Sequence, residues 1–164
     1  MPTTRVELLQ RMPVFGGVRE DTLLCLLQQA RLRSVRAGGF FCREGEQALF
    51  MYVLESGSVT VHKNWQDREL VLGTLGAGDC FGEMALLDMA ARSASVRADE
   101  DCVAIEISSG DLYGVYEYDA EQFTIIQMNI SRELCRRLRA TDEQLFRASL
   151  GGLKAGPERR LLPI

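Results

Sequence analysis

Residues 76–96, GAGDCFGEMALLDMAARSASV, place three glycines ahead of a short helix-prone run and carry a single basic residue, Arg92. Gly82 permits a positive φ and close approach of another group, while residues 83–87 suit one turn of helix. Glu83 and Arg92, nine positions apart, are the distinctive charged side chains. Taken alone they also fit a surface ion pair worth about 0–1 kcal/mol.

On both sides of this stretch the sequence has strand character. Between residues 35 and 107, short runs rich in Val, Phe, Tyr and Thr are broken by Gly38, Gly39, Gly45, Gly57, Gly73, Gly76 and Gly78. Candidate strands cover residues 40–43, 49–54, 58–63, 69–74, 94–98 and 102–107. Short strands joined by tight turns close on themselves because open edges invite aggregation. The expected class is α+β, mainly β: a jelly-roll β-barrel of about eight strands, flanked by N-terminal helices and a long C-terminal helix.

The flanks support this division. Residues 4–11 and 20–30 have helical spacing, with Leu23, Leu24, Leu26 and Leu27 forming a stripe, and the breaker string Met12-Pro13-Val14-Phe15-Gly16-Gly17 between them. Helical periodicity returns over residues 109–117 and 120–150. Within the latter, Met128, Ser131, Cys135, Leu138, Asp142 and Leu145 follow a 3-4-3-4 spacing. That face is suited to a homodimer through the C-terminal helix, and equally to packing on the barrel. The predicted organisation is one domain over residues 1–150 (N-terminal helices 1–33, β-roll 34–107, C-terminal helices 108–150), then a flexible Gly- and Pro-rich tail, 151–164.

Composition narrows the function. The 164 residues carry a net charge of −4, so no overall positive field draws the chain to nucleic acid. No apolar run spans a bilayer and the N-terminus lacks a signal-peptide core, so a cytoplasmic protein is expected. Five widely spaced cysteines and the single histidine, His62, form no ligand pattern; the cysteines are read as buried apolar side chains and no metal site is expected. No nucleophile and base stand at a recognisable spacing, so an enzyme is not expected.

The order Phe81-Gly82-Glu83-Met84-Ala85-Leu86-Leu87, a spacer, then Arg92-Ser93-Ala94-Ser95-Val96 resembles the cassette of the cyclic-nucleotide-binding domain family, which includes the catabolite activator, regulatory subunits of cAMP-dependent kinase and cyclic-nucleotide-gated channels. Gly38–Glu46 and Tyr52–Val59 resemble that family's first barrel turns, and the similarity runs from about Val6 to Leu145. The spacer departs from the family: Met89-Ala90-Ala91 stands where many relatives carry Gly-Ala-Pro.

The resemblance implies a site for a 3′,5′-cyclic nucleotide and no other cofactor. Arg92 would pair with the phosphate, supported by Ser93 and Ala94 and by the first amides of the turn at Met84 and Ala85. Glu83 would accept from the ribose 2′-hydroxyl, with Phe81 and Gly82 shaping the approach. Leu86 and Leu87 would anchor the cassette. Thr141 in the C-terminal helix would meet the adenine amino group, favouring cAMP, with cGMP still possible. The residues after Arg147 are too few and too rich in Gly and Pro to build the family's helix-turn-helix, so DNA is not expected as a partner. The implied role is a sensor whose C-terminal helix repositions on binding and signals to an effector protein of unknown identity. The alternative is a scaffold of the same shape that binds no nucleotide and acts through protein contacts.

Overall fold

A computed structural model describes residues 4–66 and 68–152. The order is α1 (Arg5–Gln10), a 3-10 turn (Pro13–Phe15), α2 (Glu20–Gln29), β1 (Arg31–Val35), β2 (Phe40–Cys42), β3 (Phe50–Ser56), β4 (Ser58–Trp65), β5 (Arg68–Gly76), β6 (Cys80–Phe81), α3 (Met84–Asp88), β7 (Ser95–Ala98), β8 (Cys102–Ser108), α4 (Ser109–Tyr118) and α5 (Ala120–Gly152).

The strands form two antiparallel four-stranded sheets, β1-β8-β3-β6 and β2-β7-β4-β5. The fold is therefore a jelly-roll sandwich, with the two sheets separate where one closed barrel was expected. The inner strands of the first sheet, β3 and β8, are buried on both faces by alternation. Tyr52, Leu54, Cys102 and Ala104 meet the second sheet, together with Phe41, Val59, Phe81 and Val96. Met51, Val53, Ile105 and Ile107 face the other way, into a core shared with Leu9, Phe15, Leu23, Leu26, Leu112, Val115, Ile126 and Ile130 of the helical layer. The β3–β4 turn demands glycine: Gly57 has φ +90°, and a Cβ there would lie 2.5 Å from Cys102 Sγ and 2.9 Å from the Asp101 carbonyl.

Local chemistry sets the helix starts. Thr4 and Ser108 cap α1 and α4, and Glu7 and Asp111 return the bond to the cap amide in both cases. Asn129 of α5 donates to the Gly16 carbonyl (2.8 Å), and Gln122 accepts from the Arg19 amide (2.8 Å), tying α5 to the N-terminal segment.

Some expectations are corrected. Residues 31–33, assigned above to the helical flank, begin strand β1, whose Arg31 and Arg33 lie on the sheet edge. The breaker string contains a 3-10 turn that buries Val14 and Phe15 fully. Cys42, Cys80 and Cys102 are buried as expected, but Cys25 is only partly covered and Cys135 is exposed. The seam Met128, Ser131, Cys135, Leu138, Asp142, Leu145 faces away from the roll, all six side chains being exposed, while Gln122, Ile126, Asn129, Ile130 and Glu133 face inward. The proposed tail, residues 153–164, lies outside the described residues. No described helix is long and apolar enough to cross a membrane.

Candidate functional site

The cassette crosses from β6 through α3 to β7 and lies against the inward face of α5. At its start Gly82 has φ +81°, and a Cβ there would fall 2.5 Å from Arg92 Nη1 and 3.1 Å from the Phe50 carbonyl. The absence of a side chain is what lets Arg92 pass under this turn.

Glu83 and Arg92 are both buried, 1% and 8% exposed, and do not pair with each other. The surface ion pair considered above is thereby replaced by two separate buried charges. Arg92 Nη2 donates to the Phe50 carbonyl (2.6 Å), Nη1 reaches the Gly82 carbonyl (3.5 Å), and its guanidinium lies 5.6 Å from the Tyr52 ring centroid. Its backbone is held from both sides: the Arg92 amide donates to Glu46 (2.8 Å) and the Gly45 amide donates to Arg92 (2.9 Å). Arg92 Nε has no partner among the described residues.

Glu83 Oε1 accepts from Arg137 Nη1 of α5, while Oε2 has no partner among the described residues. Arg137 also donates to the Cys80 carbonyl (3.2 Å) and to Glu133 Oε1 (3.2 Å). Arg136 holds both Glu133 oxygens, at 2.7 and 2.6 Å. Burial alone would raise the Glu133 pKa, but the two guanidiniums outweigh it and hold the carboxyl below its usual range. The Cys80 thiol is pushed up to about 12 by burial and then by the Glu83 charge, so it stays protonated and inert.

The remaining expected residues are distributed as follows. Phe81 turns into the core and stacks on Tyr52 at 5.2 Å, so only its backbone faces the cassette. Met84 opens α3 and is exposed; Ala85 is the next residue of that helix. Ser93 is exposed and its carbonyl accepts from Lys63 Nζ (2.9 Å), with half-buried Ala94 following. Leu86 packs on the helical core, whereas Leu87 is exposed. Thr141 is exposed and donates to the Arg137 carbonyl (3.0 Å) within its own helix. The structure thus brings Arg92 against the Gly82 turn that carries Glu83, with Thr141 one turn beyond Arg137. Met89, at the altered spacer, adopts φ +53° at the end of α3, a conformation that glycine occupies more easily.

Residues 32–119, more than half of the chain, match the family described as cyclic nucleotide-binding domain. The chain belongs to the cyclic nucleotide-binding domain family. It is 31% identical over 136 residues to the cyclic AMP receptor protein of Thermus thermophilus, an alignment covering 81% of this chain and 60% of that protein. The crystal structure of the Thermus thermophilus catabolite activator protein superposes with a TM-score of 0.74 at 29% identity, covering 84% of this chain and 63% of the other. The regulatory domain of Toxoplasma gondii PKA, solved with cAMP, gives a TM-score of 0.63 at 26% identity over 67% of this chain and 42% of the other. The chain therefore spans 60% of the first relative's length.

Within this cyclic nucleotide-binding domain, the sequence reading missed Arg137 and Glu133. A signal was present: the two stand four apart on one helix, a spacing that places an acid and an arginine on the same face. Nothing local revealed that this face meets Glu83, 54 positions away.

Proposed function

We propose that this domain binds a 3′,5′-cyclic nucleotide, cAMP first, and acts as a non-enzymatic sensor. The observation that carries the reading is the presence of two buried, mutually unpaired charges beside one glycine turn, each with a polar atom that has no partner among the described residues: Glu83 Oε2 and Arg92 Nε. A buried polar atom without a partner costs about 1–3 kcal/mol, so such atoms mark places built for another group. A ribose 2′-hydroxyl suits the first, and a phosphate suits the arginine beside it.

The base preference follows from hydrogen-bond polarity. The Thr141 hydroxyl gives its proton to the Arg137 carbonyl, leaving its lone pairs to accept from the adenine 6-amino group, whereas guanine offers a carbonyl there. Ser93 could meet the guanine 2-amino group, so cGMP is the necessary comparison. Thr141 also lies next to the Arg137 grip on Glu83. A ribose hydroxyl competing for that carboxylate would alter the hold of α5 on the cassette, which supports repositioning of the helix on binding. The exposed Met128, Cys135, Leu138 and Leu145 suit pairing with a second copy of α5.

Calorimetric titration with cAMP and cGMP tests the reading, with Arg92→Ala and Glu83→Ala as controls of verified fold. Saturable cAMP binding is expected, weakened by Arg92→Ala by about 2 kcal/mol or more, that is at least about 30-fold. Silence toward both nucleotides refutes it and leaves the protein-contact scaffold.

A further inference from the structure

Lys63, near the end of β4, is not a residue of the cassette, yet it is bound to it. Its Nζ donates to the Ser93 carbonyl (2.9 Å) and lies 3.2 Å from Glu44 Oε1. The other Glu44 oxygen accepts from the Asn64 amide (3.1 Å), and the Glu44 amide donates to Ser95 Oγ (2.9 Å). Together with the Gly45 and Glu46 bonds to the Arg92 backbone, this turn and Lys63 clamp residues 92–95 against the second sheet. The Asn64 amide and then Lys63 hold the Glu44 carboxyl below its usual range, so it stays charged and keeps its grip at neutral pH.

The peptide that Lys63 engages is the one joining Ser93 to Ala94. In a trans peptide the C=O and N–H point in opposite directions, so a cation on the Ser93 carbonyl polarises the Ala94 N–H on the far side. That places a second positive charge behind the peptide next to Arg92, without occupying the site itself.

We infer that Lys63 is a positioning residue for the phosphate half of the site, fixing and polarising the Ser93–Ala94 peptide while adding to the field that Arg92 creates. The inference rests on the cyclic-nucleotide reading. Glu44 opposes Lys63 electrostatically even as it holds it, so the two side chains set affinity in opposite directions.

The test uses the full chain with Lys63→Met, Lys63→Arg and Glu44→Gln, each checked by thermal unfolding and titrated with cAMP at low and high salt. Lys63→Met should weaken binding about fivefold at low salt, consistent with one partly screened charge. The difference should shrink at high salt, and Lys63→Arg should restore affinity. Glu44→Gln should tighten binding by about twofold. A Lys63→Met protein that binds like the wild type overturns the inference. So does a loss that is independent of salt and not rescued by arginine, which would mean a steric role. If the wild-type chain binds neither cAMP nor cGMP, the nucleotide reading fails and this inference fails with it; normal wild-type binding with no response at Lys63 removes this inference alone.

Discussion

Removing the guanidinium at Arg137 should expose how the cassette and α5 are joined. Glu83 is 1% exposed, and Arg137 is its side-chain partner among the described residues. Losing one partner of a fully buried pair costs about 3–5 kcal/mol. The Arg137 side chain is 42% exposed, so water can follow the change, and Arg137→Met should cost about 2 kcal/mol. For a chain of this size that lowers Tm by about 4–8 °C. Glu83→Gln alone should cost less, about 1 kcal/mol, because Arg137 retains Glu133 and the Cys80 carbonyl. In the double variant the buried carboxylate is gone and the penalty for stranding it disappears, so a coupling energy of about 1–1.5 kcal/mol is expected. Urea unfolding of the four proteins, followed by circular dichroism, measures it. Costs that add to within about 0.3–0.5 kcal/mol would refute the joint between helix and cassette.

Other outcomes are equally specific. Gly82→Ala should destabilise the fold by about 1–2 kcal/mol and weaken cAMP binding as well, since the new Cβ meets Arg92 and the Phe50 carbonyl; intact affinity would show that Arg92 does not need this passage. The pairing proposed for α5 predicts a dimer in light scattering that Leu138→Glu with Leu145→Glu converts to a folded monomer, because both side chains are exposed; a wild-type monomer would refute that pairing. Thiol labelling followed by mass spectrometry should modify Cys135 first and leave Cys80, raised to about 12, unreacted in the folded protein. The Gln122 amide and then Arg19 hold the Asp119 carboxyl below its usual range. Its stabilisation is therefore complete above about pH 4, the unfolded value, and lost as pH falls through the lower folded value. Asp119→Asn should accordingly lower Tm at neutral pH, with the difference closing in strong acid.

The sequence made the β-roll legible where side-chain alternation was strong. The runs at Phe50–Ser56 and Cys102–Ser108 alternate between two cores and both are recovered within two residues of their observed ends. Strand β1 was hidden because Arg31 and Arg33 punctuate an edge with charge, and β6 because two residues, Cys80 and Phe81, carry no periodicity. The cassette was legible through its resemblance to the family's residue types and spacing, since Glu83 and Arg92 taken alone also fit a surface ion pair. The Arg137 contact was not, because it depends on the path of α5 across the roll. Lys63 escaped for the same reason: its link to Ser93 joins a strand end to a loop 30 residues later.

The length of α5 has a mechanical consequence. Its inward face is fastened through Ile126, Ile130, Glu133 and Arg137, and every side chain described beyond Arg137 is exposed to solvent. The 15 residues from Leu138 to Gly152 therefore form a free arm of about 22 Å, at roughly 1.5 Å per residue. With the fulcrum at the Glu83 contact, a tilt of about 10° would carry the tip of that arm about 4 Å. Exchanging one carboxylate's partner would then register as a displacement larger than a hydrogen bond, far from where the exchange took place.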